Sequence, residues 1–280
     1  EKKKEAYERY KMLRGKLSPE LAEELEKLMD IQLEIMPQEH IVYFGDTGRV
    51  PYGSRSQETI LKYAAQDIHF LTENRVKMIV VACGTVSSLA RNLKKPQGVP
   101  FIDVLHPTAL AASAATRNKR VGVIGTSATI RSGSYRRALA EIDSEIQVYD
   151  RECPLFVPLV ENGFVADDDE VTRLVAERYL GELRDAGVDT LIMGCTHYPI
   201  ISRIIGATMG KEVTLIDSGR ETAFCCSKVL EERGLLCDRP AKGDCSFYVS
   251  DRVDDFSRIA GIFLGRDIGQ EGHQIDINRY

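Results

Sequence analysis

Thr190-Leu191-Ile192-Met193-Gly194-Cys195-Thr196 is apolar without alternation until it stops at a glycine and a cysteine. A strand with one wet face alternates polar and apolar side chains, whereas an unbroken apolar run suits a strand covered on both faces. Just upstream, Glu170–Ala186 carries its apolar residues at helical spacing. The same pairing recurs along the chain. Apolar runs at His40–Asp46, Lys77–Thr85, Phe101–Leu105, Arg120–Thr126, Ile146–Asp150, Val213–Asp217 and Phe247–Asp251 are interleaved with helical stretches at Gln57–Asn74, Ser132–Glu141 and Arg220–Arg233. Alternating βα units predict an α/β protein whose sheets are mostly parallel and flanked by helices.

Breaks near His106–Pro107 and Asp217–Ser218 divide these strands into two groups. They predict a first α/β domain from residues 31–107 plus 217–280, and a second, 108–216, inserted into it. Residues 1–30 differ in kind. Glu1–Leu13 and Ser18–Met29 are heavily charged with helical spacing, and Ser18-Pro19 suits a helix start, so they are expected to form a helical N-terminal extension.

Composition narrows the function. A net charge of −5, with lysines and arginines dispersed, argues against a nucleic-acid partner held by phosphate neutralisation. No apolar run is long enough to span a bilayer, and the charged start of the sequence does not read as a secretory signal, so a cytoplasmic location is expected. Seven cysteines is an odd number for a disulfide framework in a chain of this length. Cys225, Cys226, Cys237 and Cys245 fit no common zinc spacing and read as small buried hydrophobes; no metal is expected. Neither a phosphate loop nor a dinucleotide fingerprint follows any strand, so no nucleotide cofactor is expected.

In open α/β sheets ligands bind beyond the carboxyl ends of the strands. Two such ends match each other: Val80-Val81-Ala82-Cys83-Gly84-Thr85 and Ile192-Met193-Gly194-Cys195-Thr196-His197. A cysteine at one strand end would ordinarily be an inert core residue. Two at equivalent ends, each before a turn or helix start, predict a pair of reactive thiols whose pKa is lowered by the helix amides. His197 is placed to assist proton transfer at Cys195. Gly125-Thr126-Ser127-Ala128-Thr129 offers hydroxyls and amides that could hold a carboxylate, or only cap a helix. Asp46 to Ser54 contains a Pro/Gly-bearing turn, Pro51-Tyr52-Gly53, expected to bring backbone amides and a phenol near the rim.

These motifs resemble the glutamate racemases of peptidoglycan synthesis. The matching segments are Phe44-Gly45-Asp46-Thr47-Gly48-Arg49-Val50-Pro51-Tyr52-Gly53, Val81-Ala82-Cys83-Gly84-Thr85, Gly122-Val123-Ile124-Gly125-Thr126, Ile130-Arg131-Ser132-Gly133-Ser134-Tyr135, Cys153-Pro154-Leu155-Phe156-Val157-Pro158-Leu159-Val160-Glu161 and Gly194-Cys195-Thr196-His197-Tyr198-Pro199. They run in family order over residues 35–265.

The resemblance implies two pseudo-symmetric α/β domains with the active site in the cleft between them. It implies a small-molecule substrate, glutamate, inverted at its α-carbon without any cofactor, and a homodimer. Cys83 and Cys195 would be the opposed acid and base, with His197 and Glu161 assisting. Pro51, Tyr52, Gly53, Gly84, Thr85, Thr126, Thr129 and Thr196 would bind substrate. Glu161 also reads as a plain helix-end carboxylate. Two departures accompany the match: the family's Asp-Ser-Gly-x-Gly-Gly segment has no counterpart, and Gly84 stands where the family usually has asparagine. The alternatives are a racemase of another amino acid, such as aspartate, and a homologue that binds a ligand or partner without turning substrate over.

Overall fold

The structure, a computed structural model, describes residues 35–50, 52, 55–254, 256 and 271–280. The expected N-terminal extension lies outside the described residues. The strands are β1 (Ile41–Gly45), β2 (Ile79–Val81), β3 (Phe101–Asp103), β4 (Arg120–Gly125), β5 (Gln147–Glu152), β6 (Thr190–Met193), β7 (Thr214–Asp217), β8 (Cys245–Val249) and β9 (Gly272–Gln274). Interleaved with them are α1 (Gln57–Glu73), α2 (Gly84–Ser87), α3 (Leu105–Ala115), α4 (Ser127–Ser132) and α5 (Ser134–Ile142). The helices α6 (Phe156–Glu161), α7 (Glu170–Asp185), α8 (Ser202–Met209) and α9 (Ser218–Glu232) follow.

Three sheets form, in the orders β1-β8-β9, β2-β3 and β5-β4-β6-β7. Every described strand pair is parallel. The chain is therefore an α/β protein of parallel sheets flanked by helices. In β4 all residues after Arg120 are buried, and in β6 all four are, as their unbroken apolar runs require.

Helix formation follows local chemistry. The Ser56 hydroxyl accepts the Thr59 amide at 3.3 Å and starts α1, whose Ile60, Ala64 and Ile68 recur every four residues on the buried face. Phe70, further along α1, packs on Phe44 of β1 and Tyr248 of β8. Ile79 and Val81 of β2 join the cluster beneath α1 as well. A single helix thus covers strands of two sheets. On the opposite face Ile41, Tyr43 and Val80 are exposed. Asp169 caps α7 by accepting the Thr172 amide at 2.8 Å, and Ala176, Leu180 and Leu183 bury its inner face.

The break expected near His106–Pro107 lies within α3. Pro107 occupies the first turn, where a helix needs no amide donor, so the ring is tolerated. Among the described residues no helix is long and apolar enough to cross a membrane.

Leu191 in β6 has no solvent exposure and belongs to the largest core cluster. Leu191→Ala is expected to lower unfolding free energy by about 3 kcal/mol in urea titration, the usual cost of a leucine-sized cavity.

Candidate active site

β2 and β6 belong to different sheets, and each runs out at a cysteine. Cys83 is the residue that opens α2, so the amides of Thr85 and Val86 and the Thr85 hydroxyl turn toward its sulfur. These donors favour the thiolate, as the sequence suggested. Cys83 is exposed as a residue, yet dehydration of its sulfur against the turn outweighs these donors and holds the thiol above its ordinary pKa. Cys195 shows the same balance more strongly. Burial pushes its thiol up to about 12, against the amides of His197 and Thr196, and any charge on Cys83 adds to the rise. The expected lowering of the thiol pKa is therefore reversed at both positions. Helix and turn amides reduce the desolvation penalty without overcoming it.

Cys195 has a second partner. Its Sγ lies 3.8 Å from His197 Nδ1, and His197 Nε2 lies 3.1 Å from Glu161 Oε1. With Nε2–H donating to the carboxylate, a neutral imidazole presents its bare Nδ1 to the thiol. Glu161 closes α6, and His197 precedes the short 3-10 turn Tyr198–Ile201. Tyr198 anchors that turn: it is fully buried and its hydroxyl donates to the Cys153 carbonyl at 3.0 Å. Cys83 has no imidazole of this kind in its hydrogen-bond set.

The two cysteine turns touch. A Cβ added to Gly84 would lie 2.6 Å from the Gly194 carbonyl oxygen and 3.5 Å from Thr129 Oγ1. No side chain fits at position 84 in this arrangement, which accounts for glycine there. Hydroxyls bridge the same contact. Thr85 Oγ1 is 3.2 Å from Thr126 Oγ1, which is 3.0 Å from Thr129 Oγ1. Thr126 also caps α4 by accepting the Thr129 amide at 3.4 Å. The helix-cap and ligand-nest readings of this segment are thus compatible. Thr196 is exposed beside Cys195.

Tyr52 departs from expectation. Its phenol is buried rather than presented at the rim, hydrogen bonded to Asp46 and lying 3.2 Å from Asp67 Oδ2. Pro51 and Gly53 lie outside the described residues. The carboxylates around Tyr52 escaped the reading of the sequence. A signal existed, because Asp67 falls on the apolar stripe Ile60, Ala64, Ile68 of α1, seven residues after Ile60. The seven cysteines are free thiols. Among the described residues no group of three or more His, Cys, Asp or Glu side chains could hold a metal ion.

Residues 21–224 match the family model described as Asp/Glu/Hydantoin racemase. The chain is similar to the glutamate racemase of Geobacter metallireducens, at 46% identity over 238 residues, covering 85% of this chain and 87% of that one. It is similar in structure to glutamate racemase from Francisella tularensis in complex with D-glutamate. That match has a TM-score of 0.81 at 34% identity and covers 90% of this chain and 94% of that one. The Bacillus anthracis glutamate racemase isoform RacE1 matches with a TM-score of 0.83 at 34% identity, over 90% and 94% of the two chains.

The thiols should separate by reactivity. Cys237 lies beside Arg239, which holds its pKa below the ordinary value, whereas Cys195 is pushed up to about 12. Iodoacetamide at neutral pH, followed by peptide mapping, should label Cys237 well before Cys195. Cys195 labelling should rise with pH, as its thiolate fraction does. Faster labelling of Cys195 than of Cys237 would contradict this order.

Proposed function

The chain belongs to the glutamate racemases of the Asp/Glu/hydantoin racemase family, and on that premise we propose that it interconverts L- and D-glutamate without a cofactor. The observation that carries the reading is the meeting of two cysteine-bearing strand ends from different sheets at one contact, Gly84 against Gly194. Inversion at the α-carbon needs a base on one face of the carbon and an acid on the other. Cys83 and Cys195 supply one group each, and their roles exchange with the direction of reaction.

Both thiols rest protonated at neutral pH, because both pKa values are raised. When Cys195 is the base, its proton passes to His197 Nδ1 and Glu161 stabilises the imidazolium through Nε2. When Cys83 is the base, its exposed thiol gives its proton to solvent water, and the Thr85 and Val86 amides at the start of α2 stabilise the thiolate. Thr85, Thr126, Thr129 and Thr196, with the backbone of Pro51, Tyr52, Gly53 and Gly84, line the substrate's carboxylates and amine in this reading. β1 to β3 with β8 and β9 then form one domain, β4 to β7 the other, and the cleft lies between. The physiological form is a cytoplasmic homodimer that supplies D-glutamate for peptidoglycan.

Circular dichroism of the purified protein with L-glutamate, and separately D-glutamate, tests this reading. Without added cofactor both signals should decay to zero. Cys83→Ser and Cys195→Ser should each slow net racemisation by about 10²-fold or more, the usual worth of a positioned acid or base. Steady signals from folded protein, or full activity in either variant, would overturn the proposal.

A further inference from the structure

Tyr52, which shares a core cluster with Val81 and Val86 on either side of Cys83, belongs to a polar network whose side chains the two-thiol reaction does not use. Arg49 spends its guanidinium on three side chains: Nε on Asp46 Oδ2 at 2.6 Å, Nη1 on Gln66 Oε1 at 2.6 Å and Nη2 on Asp67 Oδ1 at 3.0 Å. It also stacks over the Tyr63 ring at 4.1 Å. Asp46 accepts two further donors, the Ser250 hydroxyl at 2.7 Å and the Tyr52 hydroxyl. Three donors on one carboxylate stabilise its charge.

Asp67 is served differently. Arg49 satisfies Oδ1, while Oδ2 faces the Tyr52 oxygen at 3.2 Å. A phenol carries one proton. If that proton lies toward Asp46, the Tyr52 and Asp67 oxygens meet with nothing between them unless Asp67 supplies the hydrogen. One positive charge, Arg49, then faces one ionised carboxylate, Asp46, and one neutral carboxyl, Asp67.

We propose that Asp67 is a positioning residue for the Cys83 side of the site. Its own carboxyl proton, given to the Tyr52 oxygen while the Tyr52 hydroxyl donates to Asp46, sets both the seat of Tyr52 and the charge that Cys83 faces. The groups facing Asp67 are Asp46 from the end of β1, Arg49 from the turn Thr47–Arg49, Tyr52, and Cys83 from the end of β2. Burial and the Asp46 charge raise the Asp67 carboxyl to about 7, Arg49 opposing. Ionised Asp67 disfavours the Cys83 thiolate. Loss of the proton near neutrality therefore separates Asp67 from Tyr52 and makes Cys83 a harder thiol to ionise.

The inference rests on the racemase reading only for its effect on turnover, so the test has a readout independent of activity. Asp67→Asn keeps the donor toward Tyr52 and removes the titration. The pH profile of Cys83 carboxymethylation, followed by peptide mass, should move to lower pH in Asp67→Asn, with several-fold faster labelling at about pH 8. KM for glutamate should rise through neutrality in the wild type and stay flat in the variant, with kcat less affected. Identical Cys83 profiles in the two proteins would overturn the proposal, whatever the activity. Failure of racemisation alone, with the Cys83 shift present, would reject the substrate reading and leave this one standing. Should Asp67→Asn not fold, carboxyl-carbon NMR of aspartate-labelled wild type decides. One aspartate titrating at about 7 supports the shared proton. All aspartates titrating in the ordinary range, around pH 4, refutes it.

Discussion

The site depends on a backbone contact with no room for a side chain. Gly84 stands against the Gly194 carbonyl so closely that a Cβ would lie 2.6 Å from that oxygen. This approach brings together the ends of β2 and β6, strands of separate sheets, with the cysteines that follow them. The threonine hydroxyls reinforce it, since Thr85 from one turn meets Thr126 from the other at 3.2 Å. Any residue larger than glycine at position 84 must move one turn away from the other. The separation of the two cysteine-bearing turns would change accordingly.

That closeness has an electrostatic consequence. Burial raises the Cys195 thiol, and a thiolate at Cys83, which stays exposed, would raise it further. In the proposed reaction both thiols rest protonated, and one proton must leave before inversion begins. The structure treats the two sides unequally. Cys195 has an imidazole oriented by Glu161, whereas Cys83 has helix-start amides and lies near an aspartate that disfavours its ionisation. In the proposed reaction the two directions would start from differently supported bases.

Much of this was legible in the sequence because buried parallel strands leave an unmistakable trace. The runs ending at Cys83 and Cys195 carry no polar alternation, and β2 and β6 form where those runs lie. The helical stretch Glu170–Ala186 became α7 with a one-residue difference at its end. Helix α3 was not legible, because Pro107 reads as a breaker unless its place in the first turn is known. Sequence proximity suggested His197 for Cys195, whereas Glu161, 36 residues from His197, came only from the family resemblance. The Asp46–Tyr52–Asp67 cluster was missed although the helix carrying Asp67 was read, because only the fold brings the turn against that helix. The sign of the thiol shifts was also out of reach, since it depends on how much water the packed turns exclude.

Two opposed bases leave a specific isotopic record. Racemisation started from one enantiomer in deuterium oxide and stopped early separates a two-base from a one-base mechanism. The account predicts α-deuterium in the newly formed enantiomer and none in the recovered starting enantiomer, because the proton removed by one thiol is not the one returned by the other. Deuterium appearing equally in both enantiomers from the outset would mean that a single base serves both faces, and would contradict the central claim.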